Sequence, residues 1–181
     1  KILVKGTDKA GEFYRKTLSA IFAYASNRIP EISDELYRID DAMKAGFGWE
    51  HGPFQIWDAI GVEKGIEMMA KEGFKPNSWV SDMLSQGSKS FYTINNGSKY
   101  YFDLKEEKQI KIPGQDAFII LDNIRESKTI WSNKEASIQH LGDGVLNVEF
   151  QSKMNTIGSG VLQAINKGID LAEDEYEAVI L

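Results

Sequence analysis

An α+β chain is predicted by three observations. Over the first 86 residues the apolar side chains recur at three- and four-residue steps, the period at which a helix buries one face. From Ser90 they alternate about Asn96-Gly97, a dipeptide suited to the left-handed backbone of a tight hairpin turn. Toward residue 181 an alternating run, a helical run and a short apolar run follow one another within about 35 residues, the size of a βαβ unit. Five helices, a β-hairpin and a partial βαβ unit are therefore expected.

Each element has its own signal. Residues 11–29 carry Phe13, Leu18, Ile21, Phe22 and Ala25 on one stripe, and Pro30 follows, so the first helix ends before it. Ser33 or Asp34 offers an N-cap to a second helix carrying Leu36, Ile39, Ala42 and Met43, with Gly46 and Gly48 as stop signals. Pro53 suits the first turn of a third helix that buries Phe54, Ile56, Trp57 and Ile60 before Gly61. Residues 62–72 and 78–86 read as two more helices, ended by Gly73 and Gly87. The charged segment 104–118 holds Pro113-Gly114 and reads as a linker or sheet edge. Strands are expected at 118–121, 128–131, 136–141 and 145–150, with a turn at Gly142-Asp143-Gly144. A helix over 157–172 carrying Leu162, Ile165, Ile169 and Leu171, then a strand over 176–181, complete the chain. The expected domains are residues 1–104, helices plus hairpin; 105–134, a linker or edge segment; and 135–181, the strand–helix–strand portion.

Composition narrows the function classes. The chain has 181 residues, 42% of them hydrophobic and 27% charged, the balance of a folded globular protein. Its formal net charge of -6, with lysines and arginines interspersed among acids, argues against a nucleic-acid partner, which needs a basic face. With no cysteine there is no disulfide framework, thiolate metal site or thiol nucleophile, and a cytoplasmic location is the default expectation. No apolar run approaches the roughly 18 residues that span a bilayer, so no membrane span is expected. The chain begins on Lys1 and ends at Leu181 inside the run YEAVIL, so an internal piece of a longer protein is expected.

Motifs for chemistry are sparse. The stretch AGFGWEHGPFQIWD, residues 45–58, sets Glu50 beside His51, but neighbours in sequence cannot hold the hydrogen-bond geometry that orients an imidazole. His51 reads as an exposed turn residue and His140 as structural. The physics of the stretch is that of a helix corner, with Gly46 and Gly48 turning the backbone, Pro53 starting the next helix, and Phe47, Trp49, Phe54 and Trp57 as anchors. Metal binding would want paired ligands at helical spacing, and there is no HxxxH or HExxH; Asp40-Asp41 and Glu106-Glu107 read as solvated acid pairs, so no metal site is expected. Gly158-Ser159-Gly160 lies between a strand and a helix but lacks the third glycine of a dinucleotide fingerprint, so a flexible helix start is the stronger reading.

Residues 39–62, IDDAMKAGFGWEHGPFQIWDAIGV, resemble the C-terminal helical domain of the 3-hydroxyacyl-CoA dehydrogenases. With the first helix, the likeness spans residues 10–72. In that family the domain follows one that holds NAD and the catalytic His-Glu pair, so the resemblance implies that no catalytic or cofactor-binding residue lies in this segment. Catalytically competent copies place an Asn-Arg near the start of the first helix, where this chain has Arg15-Lys16. The resemblance is therefore to the second, non-catalytic copy of multifunctional β-oxidation proteins.

The run LGDGVLNVEFQSKMNTIGSGVLQAINKGIDLAEDEYEAVIL, residues 141–181, is similar to the opening of the enoyl-CoA hydratase (crotonase) family. There the turn matched by Lys153, Met154 and Asn155 runs beside the CoA moiety, which implies substrate contact at those three residues. Together the resemblances imply an internal segment of a bifunctional 3-hydroxyacyl-CoA dehydrogenase/enoyl-CoA hydratase of fatty-acid β-oxidation. NAD and acyl-CoA are implied for the parent protein and no cofactor for the segment, which is expected to be inactive alone. Its expected role is structural: partner to other domains of the same polypeptide and part of a homo-oligomer. The alternative is a free-standing acyl-CoA-binding or protein-interaction module.

Overall fold

The computed structural model describes residues 3–181, which form two compact units. One contains the residues up to 95 together with 99–113, and the other contains 96–98 with 114–181.

The first unit opens with a 3₁₀ turn, Leu3–Lys5, and continues through α1 (Lys9–Asn27), α2 (Leu36–Phe47), α3 (Pro53–Ile60), α4 (Val62–Lys71) and α5 (Ser78–Ser85). Asp8 caps α1 by accepting from the Gly11 amide at 2.8 Å, satisfying one of the helix's unpaired donors. Gly48 ends α2 in the left-handed conformation at φ 65°, a turn that costs a residue without Cβ little. The N-cap of α2 is Glu35 rather than Ser33 or Asp34, because the Ser33 hydroxyl bonds locally to the Glu35 amide and carbonyl instead.

The core of this unit is aromatic. Phe22 of α1 stacks on Trp57 of α3 with centroids 5.0 Å apart, and Phe91 stands edge-on to Trp57 and Phe54 at 5.0 and 5.1 Å. Such pairs add to the burial of their area. The Trp57 indole N–H donates to the Val62 carbonyl at 3.0 Å, so the largest buried side chain also fixes the α3–α4 corner. Two expected anchors are not in this core. Phe47 is 73% exposed at the last residue of α2, whose buried residues Leu36, Tyr37 and Asp40 lie in its first half. Phe13 is 65% exposed, because the buried face of α1 runs through Gly11, Ser19, Phe22, Ala23 and Ser26, leaving Phe13 off that line.

The hairpin forms about Asn96 and Gly97, both at positive φ, between β1 (Tyr92–Asn95) and β2 (Ser98–Asp103). A third strand, β3 (Lys108–Lys111), pairs antiparallel with β2, with Tyr101 opposite Ile110. It lies in the segment expected to be linker or edge. Asp103 makes the turn possible by accepting from the Lys105 and Glu106 amides at 2.9 and 2.8 Å.

The second unit is a four-stranded sheet in the order β4 (Thr129–Ser132), β5 (Ala136–Gly142), β6 (Val145–Phe150), β7 (Ala178–Ile180). The first three are antiparallel; β6 and β7 are parallel and joined by the crossover helix α7 (Ser159–Glu175). Ala136, Ile138, Leu146 and Val148 pack against Val161 and Ala164 of α7. Gly168 lets the helix approach: a Cβ there would stand 3.0 Å from a Val148 methyl.

A strand expected at 118–121 is instead irregular chain leading into a helix, α6 (Leu121–Lys128). Its sequence, LDNIRESK, has an acid in the first turn and bases in the last, and Arg125 pairs with Asp122 one turn back at 2.8 Å. Those local terms prevail where no neighbouring strand is offered to Phe118 and Ile119.

Gly65 of α4 lies against the indole of Trp57, 2.0 Å from Nε1 for an added Cβ. Gly65→Ala should destabilise the helical unit by about 1–3 kcal/mol through overpacking of a buried ring. Urea unfolding followed by tryptophan fluorescence measures it, and an unchanged midpoint would contradict this packing.

Candidate functional site

The corner at residues 45–58 is held by a buried carboxylate. Asp40 of α2 is fully buried, and its two oxygens accept from the Phe54 and Gln55 amides at the start of α3, at 2.9 and 3.0 Å. The phenol of Tyr92 in β1 donates to the same carboxylate at 2.8 Å. Asp58 of α3 accepts from the Phe91 and Tyr92 amides at 2.8 and 2.9 Å. Gly52 belongs to this arrangement, since a Cβ there would fall 2.3 Å from the Asp40 backbone.

Reading Asp40-Asp41 as a solvated pair is thus right for Asp41 and wrong for Asp40, which shares the buried face of α2 with Leu36 and Tyr37. The i, i+4 spacing from Leu36 to Asp40 is the signal for this in the sequence.

Electrostatics follow from that burial. Desolvation pushes Asp40 up to about 6, against the pull of its donors, and pushes Asp58 up to about 6 as well, with the nearby Asp40 charge adding to it. Burial and the Asp40 carboxylate push the Tyr92 phenol far above its ordinary range. The Lys99 ammonium lies over the Tyr92 ring, 4.2 Å from its centroid, and offsets part of the negative charge. Every Asp40 and Asp58 oxygen is bonded to the chain itself, so the cluster fastens α2, α3 and β1.

His51 and Glu50 are both exposed beside this cluster and share no hydrogen bond among the described residues. His140 stands in β5, edge-on to Tyr176 with centroids 5.3 Å apart. Among the described residues no three of His, Asp or Glu are grouped as metal ligands, and no helix is long and apolar enough to cross a membrane.

In the second unit, Lys153, Met154 and Asn155 form a 3₁₀ turn between β6 and α7. Met154 and Asn155 occupy successive left-handed positions at φ 57° and 51°, which are strained for residues with side chains. The turn is locked by Ser152 Oγ donating to the Thr156 carbonyl at 2.7 Å and by Thr156 Oγ1 donating to the Lys153 carbonyl at 3.0 Å. All three side chains point outward, with Met154 87% exposed. A turn so fixed can present a backbone edge and a lysine to a ligand.

The glycines of Gly158-Ser159-Gly160 have a different occupant. Glu135 accepts from the Gly160 amide at 2.9 Å, and a Cβ on Gly160 would fall 2.7 Å from its carboxylate. The anion at the start of α7 is the chain's own: it takes the Gly160 amide and stands where a phosphate would have to lie. The glycines are required by this close approach rather than by flexibility. Asn133 completes the device, accepting from the Glu135 and Ala136 amides and donating to the Gly160 carbonyl at 2.8 Å.

The aspartate pair predicts a pH dependence. Their folded values, about 6, lie above the ordinary 3.8, so the folded state holds these protons more tightly. Their contribution to stability is full below about pH 4 and is lost progressively as pH rises through about 6. Asp58→Asn should flatten that decline, as read from urea midpoints at pH 4.5 and 7.5.

Residues 11–100 match the family described as 3-hydroxyacyl-CoA dehydrogenase, C-terminal domain. A probable 3-hydroxyacyl-CoA dehydrogenase of Bacillus subtilis (strain 168) is 37% identical over 182 residues, covering 100% of this chain and 23% of that protein. A putative fatty acid oxidation complex trifunctional enzyme of Rickettsia prowazekii (strain Madrid E) is 25% identical over 164 residues, 91% of this chain and 20% of that protein. The chain thus spans less than a quarter of the length of these relatives. Residues 11–100 are thus similar to the C-terminal domain of the 3-hydroxyacyl-CoA dehydrogenases, and the likeness to the Bacillus subtilis protein runs along the whole chain.

Proposed function

We propose that this chain is an internal segment of a bifunctional 3-hydroxyacyl-CoA dehydrogenase/enoyl-CoA hydratase of fatty-acid β-oxidation, and that its work within the parent is structural. The observation that carries this reading is the use made of its polar groups. Asp40, Asp58 and Glu135 bond backbone amides of their own unit, and the Arg15 guanidinium donates to the Val4 and Gly6 carbonyls, fastening the 3₁₀ turn to α1. Arg15-Lys16 stands where catalytic copies carry Asn-Arg, and an arginine so engaged is not poised over a substrate. NAD does not fit the strand–helix turn at Gly158-Ser159-Gly160, because Glu135 occupies the helix start. On this reading NAD is held elsewhere in the parent.

The structural role has a candidate surface. Phe13, Tyr14 and Tyr24 on α1 are exposed, and aromatic side chains in the open are the anchors that interfaces use. They would dock on another domain of the polypeptide or on a second copy. The hydratase half of the proposal is supported by the parallel β6–α7–β7 unit, whose β6–α7 turn offers Lys153, Met154 and Asn155 to the CoA moiety. The parent would act in the cytoplasm.

Two measurements test this. The purified chain, given 3-hydroxybutyryl-CoA and NAD, should produce no NADH absorbance; turnover above the protein-free rate would refute the structural reading. A double variant, Phe13→Ser with Tyr24→Ser, should weaken self-association or docking to the rest of the parent at least tenfold in sedimentation, with unchanged thermal unfolding, as expected for interface anchors.

A further inference from the structure

The helical unit contains a groove of about 360 Å³ that the structural role does not use. Its floor is apolar: Val4 of the 3₁₀ turn, Ile60 at the end of α3, and Met68, which is nearly buried on α4. Its rim is cationic. Lys64 and Lys71 flank Met68 at i, i+4 and i+7, so α4 turns the apolar side chain and both ammonium groups toward the same side. Lys5 approaches from the 3₁₀ turn.

Charge decides what such a groove takes. Arg15 lies in the lining but is engaged with two carbonyls and stands 4.0 Å from Glu72. Lys5, Lys64 and Lys71 make no ion pair among the described residues, although Glu67 lies in the same lining. Four cations thus face two carboxylates in a chain whose net charge is -6. An apolar floor under unpaired lysines is complementary to an amphiphile with one anionic head. The volume is at the lower end of small-ligand sites, which begin at about 300 Å³.

We infer that this groove binds a small amphiphilic anion, with the aliphatic body over Val4, Ile60 and Met68 and a carboxylate or phosphate head among Lys5, Lys64 and Lys71. The inference does not depend on the parentage reading, and NADH production by the chain would leave it untouched.

Amide chemical-shift titration of the whole chain at low salt is the test, with octanoate and octyl phosphate as probes and octanamide as the neutral control. Saturable shifts confined to residues 4–5 and 60–72 are expected with at least one of the anions, and the tighter one identifies the head. Octanamide should bind about tenfold more weakly, and Lys64→Glu with Lys71→Glu should cost the anion roughly tenfold. Glu67→Gln should tighten binding, an effect that misfolding cannot imitate. No saturation with either anion, equal binding of octanamide, or indifference to all three substitutions would each overturn the assignment.

Discussion

The Asp40 carboxylate is the constraint on which the helical unit depends. It reaches from α2 to two amides at the start of α3 and takes the Tyr92 phenol from β1, so three elements distant in sequence meet at one group. A buried carboxylate is costly unless its lone pairs are filled, and here donors are supplied to both oxygens. The cost is still visible in the upward shift of both aspartates. Gly52 carries no side chain for the same reason, because the chain must pass against Asp40. Trp57 continues the arrangement by stacking on Phe22 and donating to Val62, which sets the course of α4 and thereby the direction in which Lys64 and Lys71 face.

The second unit solves a similar problem with Glu135. A helix that begins beside the end of a strand exposes amides in a confined space, and an internal carboxylate reaches one of them, at Gly160, because no Cβ stands in its way. Across the sheet, Gln139, Ser137, Asn147 and Glu149 bond one another, and Arg125 of α6 closes the network onto Glu149. That polar layer explains why α6 lies over this face of the sheet: Arg125 has a carboxylate to meet, and its pairing holds Glu149 below the ordinary carboxylate range.

Much of this is legible in the sequence. The five helices follow from apolar periodicity, and Gly61, Gly73 and Gly87 mark their ends because residues without Cβ accept the positive-φ turns found there. Asn96-Gly97 marks the hairpin for the same local reason. The run at 118–121 reads as a strand and is not one, because a short apolar run is ambiguous between helix and strand until a partner is known. Phe13 and Phe47 read as core and are exposed, because hydrophobicity alone does not say which side of a helix has a neighbour. Lys153, Met154 and Asn155 rest on resemblance alone, whereas the roles of Asp58, Glu135 and the groove over Met68 have no signature in local pattern.

By itself, then, the sequence determined the five helices of the first unit, the hairpin, the β6–α7–β7 unit and the likeness to a dehydrogenase domain, because these reside in local pattern, whereas β3 and α6 did not follow from it. The tertiary structure alone decided that Asp40 is buried while Asp41 is not, that the glycines before α7 face a carboxylate of the same chain, and that three lysines gather over an apolar floor. Each of those depends on which residues from distant positions share one space, and the energy of a charge is set by that neighbourhood rather than by its place in the chain.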